Sequence, residues 1–169
     1  MRSRFSVAGH PLHPLLVTVP IGLFLWAFVA DLVYLVSDDR VWHDISFWSG
    51  IGGIVAAVLA AVPGFGDYLT MAVDSNARLH ATAHMLLNVA VVVLFLAAAI
   101  VMRDDRALEG GALTTTVILH GLGVGLLAAA GVLGGEMVYR HHLAVIPDDA
   151  EVERGERERH ARRPDQLEA

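Results

Sequence analysis

Four long apolar runs alternate with short polar links along the chain, and this pattern predicts four membrane-crossing helices over about residues 12–36, 45–62, 80–102 and 113–133. Each run reaches the length that spans hydrocarbon, about 20 residues of helix. Pro14 falls in the first turn, where its missing N–H is harmless, and Pro20 lies deeper and predicts a kink. Pro63-Gly64 ends the second run, the polar turn Asp74-Ser75-Asn76 precedes the third, and Gly134-Gly135 ends the fourth. The links are short, so successive spans are antiparallel neighbours. The predicted fold is all-α: an integral membrane four-helix bundle, up-down-up-down, over residues 1–146. From Pro147 acid and base alternate, which predicts a solvated tail over 147–169 with no core of its own.

The two halves are alike. An offset of 71 residues sets His13 on His84 and lays HPLLVTVPIGLFLWA over HMLLNVAVVVLFLAA. The same offset places Gly50 and Gly52 on Gly121 and Gly123, and Tyr68 on Tyr139. This predicts two repeated helical hairpins of the same topology, related by a pseudo-two-fold axis along the membrane normal. Such an axis holds His13 and His84 at one depth on opposite sides of it.

Composition narrows the chemistry. The chain is 55% hydrophobic and carries a net charge of −6, which excludes the basic face a nucleic acid would need. All twelve basic residues are Arg. Most lie on the side holding both termini (Arg2, Arg4, Arg78, Arg140 and the five of the tail), with Arg40, Arg103 and Arg106 on the other. The positive-inside rule then places both termini in the cytoplasm of a bacterial inner membrane. With no Cys, disulfides, iron–sulfur ligation and covalent C-x-x-C-H haem are excluded, so a metal would be held by His, Asp, Glu or Met.

The histidines are therefore the candidates. His10 and His13 are three apart and His80 and His84 four apart, so each pair shares a helix face at the terminal end of the bundle. Asn88 lies one turn beyond His84. Asp67 closes the second helix and Glu136 the fourth. Two imidazoles at equal depth suit the axial positions of haem b; His13, His84, Asp67 and Glu136 together suit a bare Fe, Zn or Mn ion, with His10 and His80 nearby. Against this stands a plain alternative, in which interfacial histidines meet headgroups, Asp67 caps a helix and Glu136 pairs with Arg140. His120 lies inside the fourth run, and His43 is its expected neighbour; a structural role is expected there, as for close packing at Gly121/Gly125 and Gly131/Gly135. Transport is a weaker reading, because no charge is expected at mid-depth.

GHPLHP at the head of a span, the GDYL turn, the His80/His84 pair and the closing GGEMVYRHH resemble a family of bacterial predicted four-helix membrane proteins known as a domain of unknown function. The resemblance covers about residues 7–143. Some members are fused to a Rieske-type iron–sulfur domain, which implies an electron-transfer setting and a redox partner. The family supplies no enzymatic activity to carry over. The expected function is thus a haem or metal centre between the two halves; the alternative is a non-catalytic scaffold or accessory subunit that contacts lipid and another membrane protein.

Overall fold

The computed structural model describes residues 5–8, 10–71, 76–103 and 110–141. The tail over 147–169, Asp74, Ser75, Arg106, His142 and His160 lie outside the described residues. The first span consists of α1 (Leu12–Leu16) and α2 (Thr18–Ser37). It is followed by α3 (Arg40–Leu69), α4 (Asn76–Met102) and α5 (Gly110–His141). All four spans are long and apolar enough to cross a membrane. Only 17% to 28% of each apolar window is buried inside the bundle, so most of each helix turns its side chains outward, as a lipid-facing surface requires. Trp26, Val29, Trp48 and Val58 are among the exposed large side chains.

The helices are longer than the apolar runs, and prolines explain two local details. Pro20 has no N–H for the carbonyl of Leu16, and its ring crowds that carbonyl. The helix accordingly breaks at Val17, between α1 and α2, and the Thr18 hydroxyl donates to the carbonyl of Leu15 at 2.8 Å. Pro63 does not end the second span as expected; α3 runs through it to Leu69. Spanning helices tolerate such a proline. In the turn before it the carbonyl of Ala60 accepts from His13 Nδ1 at 2.8 Å.

The link between α2 and α3 is only Asp38-Asp39. Asp38 adopts the left-handed conformation (φ 52°) and closes α2 with its N–H on the carbonyl of Tyr34. Asp39 caps α3 by accepting from the N–H of Val41. Ahead of the first span is an element not expected from the sequence, an antiparallel pair of β1 (Ser6–Val7) and β2 (His10–Pro11). Its ends are tied by the Leu12 N–H on the Phe5 carbonyl at 2.9 Å. The Phe5 ring lies over Gly66 of α3.

α2 packs on α3 and α4 on α5; α3–α4 and α2–α5 contacts close the ring of four. At the centre Phe24 and Phe95, fully buried on the two diagonal helices, meet with ring centroids 4.1 Å apart. Each ring lies over a glycine of its own hairpin partner. A Cβ at Gly53 would lie 2.6 Å from the Phe24 ring, and one at Gly123 would lie 2.6 Å from the Phe95 ring. These close approaches bear out a packing role for glycines in α3 and α5, as does Gly121, where a Cβ would lie 3.3 Å from the Phe28 ring. Gly125, Gly131 and Gly135 differ from the expectation, for a Cβ there would meet nothing within 4 Å.

This gives a paired prediction. Gly123→Ala forces a Cβ into the Phe95 ring and destabilises the fold by about 1–3 kcal/mol, the usual cost of overpacking. Gly125→Ala is neutral or slightly stabilising, since alanine favours helix over glycine. Thermal unfolding of both variants in detergent checks this: equal melting temperatures would contradict it.

Candidate metal centre

The short helix α1 carries His13 and the first turns of α4 carry His84, on diagonal members of the bundle. The structure brings the two rings together with centroids 6.3 Å apart and planes at 86°. Both are half-buried at the end of the bundle that holds the N-terminus.

The two rings are held in the same way. His13 Nδ1 bonds the carbonyl of Ala60 in α3 at 2.8 Å, and His84 Nδ1 bonds the carbonyl of Ala130 in α5 at 2.8 Å. A carbonyl accepts only, so each Nδ1 carries the proton and, in a neutral ring, each Nε2 keeps its lone pair. This is how metal-ligating imidazoles are commonly oriented, by a backbone acceptor on the nitrogen away from the metal. A glycine makes room for each ring: a Cβ at Gly64 would lie 2.6 Å from His13 Nδ1, and one at Gly134 would lie 3.3 Å from the His84 ring. The partners of His13 and His84 in α3 and α5, Ala60/Ala130 and Gly64/Gly134, stand 70 residues apart, one fewer than the histidines themselves. The ungapped alignment of the two halves is therefore one residue out of step in these helices.

The rings differ on their far side. Asn88 donates from Nδ2 to the His84 carbonyl at 2.8 Å and also lies 3.2 Å from His84 Nε2. With Nδ1–H committed to Ala130, that contact is an amide N–H on the imidazole lone pair.

The remaining candidates are placed apart from this pair. His80 Nε2 lies 3.5 Å from Glu136 Oε2, while its Nδ1 bonds the Asn76 carbonyl at 2.8 Å. Glu136 also reaches Arg140 at 3.6 Å, the i,i+4 pairing expected of it. His10 is exposed and bonds the Ala8 carbonyl at 3.1 Å. Asp67 is half-buried at the last turn of α3, where its own carbonyl accepts from the Thr70 hydroxyl at 2.7 Å. Among the described residues no group of three or more His, Cys, Asp or Glu is arranged to hold a metal ion. What the geometry offers is an imidazole pair.

His120 corrects one expectation. Its partner is Asp31 of α2 at 2.6 Å, with both side chains almost fully buried, and not His43. An ionisable pair therefore does stand inside the bundle. The lone Asp in an apolar run was the available signal.

Four apolar spanning helices closed into a bundle, with histidines and carboxylates gathered at one end, define an integral membrane protein. The chain belongs to the predicted membrane protein family DUF2231, whose signature matches residues 9–147. No curated protein and no solved structure matches it.

The tautomer is directly testable. In protein labelled with 15N at histidine, in detergent at pH 8, His13 and His84 are expected to be protonated at Nδ1 and bare at Nε2. The opposite tautomer at either ring would remove the carbonyl-held arrangement.

Proposed function

We propose that this protein binds haem b between its two helical hairpins, with His13 and His84 as the axial ligands, and serves electron transfer at the membrane surface. The observation that carries this reading is the pair itself: two imidazoles from opposite hairpins, each held through Nδ1 by a backbone carbonyl, with ring centroids 6.3 Å apart. Held in this way, each neutral ring would offer its Nε2 lone pair to an iron, which would supply one-electron chemistry when bound. Haem supplies four nitrogens of its own and asks the protein for two. A bare Fe, Zn or Mn ion held by His13, His84, Asp67 and Glu136 would need a cluster that the described residues do not form. For His84 to ligate, the Asn88 amide gives up its contact with Nε2 and keeps its bond to the His84 carbonyl.

The matched roles of Phe24 and Phe95, Gly53 and Gly123, and Ala60 and Ala130 support the two hairpins being copies of one unit. The arginine distribution supports a bacterial inner membrane with both termini in the cytoplasm, so the histidine pair faces a cytoplasmic redox partner. A second reading, a non-catalytic scaffold or accessory subunit, is favoured by the Asn88 contact, which satisfies His84 without a metal, and by the broad apolar surface of the bundle.

The absorption spectrum of protein purified in mild detergent, followed by its metal content, decides between these readings. A Soret band with low-spin features is expected, lost in His84→Ala and kept in His160→Ala. Stoichiometric metal without a Soret band would select the bare ion. Neither, in a folded protein, would leave the scaffold.

A further inference from the structure

The opposite half of the bundle holds a second polar layer. Asp31 and His120 are 2% and 1% exposed, and Asp31 Oδ2 lies 2.6 Å from His120 Nδ1. Asp31 stands six residues before the end of α2 at Ser37, so roughly 9 Å of helix separates it from the link. The His120 ring stacks on Phe95 at 4.3 Å. Among the described residues, three further polar atoms in the interior have no partner: His43 Nε2, Ser46 Oγ and Thr116 Oγ1. Helical spacing gathers them toward the pair. Thr116 is one turn from His120 on α5. Ser46 is one turn from Gly50, where a Cβ would lie 3.9 Å from His120 Nε2. His43 is one turn from Ser46, and its ring lies 6.1 Å from that of Tyr34, which is one turn from Asp31. The titratable groups around the pair are thus Tyr34 on α2 and His43 on α3, the latter 3.4 Å from the exposed Asp44; α4 brings Phe95.

We propose that Asp31 and His120 form a proton-binding site inside the membrane: the pair holds one proton, as imidazolium against carboxylate, and internal water on Ser46, Thr116 and His43 connects it to the aqueous phase at the α2–α3 link. A lone ionised carboxylate is costly in hydrocarbon, and a proton on His120 makes the pair neutral overall. Ring stacking on Phe95 leaves the second N–H of His120 in the ring plane, free to exchange through water. Buried hydroxyls with no protein partner are the positions at which internal water is held.

The site is read without iron or the terminal-end histidines, so its test stands apart from the haem reading. In protein labelled with 15N at histidine, in lipid nanodiscs at pH 7, His120 is expected to be doubly protonated, and its ring protons should exchange within minutes of transfer to D2O. Asp31→Asn should convert His120 to the singly protonated form, and Asp31→Glu should retain the doubly protonated one. A singly protonated His120 in the unaltered protein, or a doubly protonated one that Asp31→Asn leaves unchanged, would overturn the proposal. Ring protons that persist for hours would overturn the water connection. The measurement on the unaltered protein decides the question even if a variant fails to fold.

Discussion

The bundle depends on aromatic rings set into glycine notches. Helices that face lipid gain little from burying one apolar side chain against another, because the tails outside are as apolar as the core. Association then rests on close fit. Phe24 in Gly53, Phe95 in Gly123, His13 in Gly64 and His84 in Gly134 supply that fit, with ring against backbone at distances any Cβ would obstruct. The Phe24–Phe95 contact joins the two diagonal helices at the centre, and the His13–His84 contact joins them again at the terminal end.

The same notches set the chemistry. A ring lodged on a glycine lies close to the neighbouring helix backbone, so an imidazole there finds a carbonyl within reach. That fixes which nitrogen carries the proton. Gly53 and Gly123, which receive Phe24 and Phe95, are also 70 residues apart, so the one-residue slip arises before these glycines and runs through both helices.

The two polar layers answer the cost of polarity in hydrocarbon differently. At the terminal end, each imidazole bonds a backbone oxygen, and His84 also meets Asn88; no side-chain charge is engaged at the pair. In the opposite half a carboxylate is buried, and only an ionisable partner at hydrogen-bond distance offsets it. Phe95 links the central aromatic contact to the buried pair, meeting Phe24 on one side and stacking on His120 on another.

Much of the architecture was legible in the order of residues. Four runs of sufficient length and short links determined a helical membrane bundle, because a continuous apolar run of that length satisfies its backbone hydrogen bonds in lipid within its own helix. His13 and His84 could be matched from the likeness of the halves, since two hairpins of the same topology place equivalent positions at one level. Other features were decided only by the tertiary structure. Pro63 stays inside α3, which runs on to Leu69. Glu136 reaches His80 of another helix beside the Arg140 pairing that spacing alone indicated, and His120 goes to Asp31 across 89 positions of chain. Spacing along one helix says which face a side chain shares; which partner it meets depends on the rotation of the neighbouring helix, and ring-in-notch packing sets that rotation.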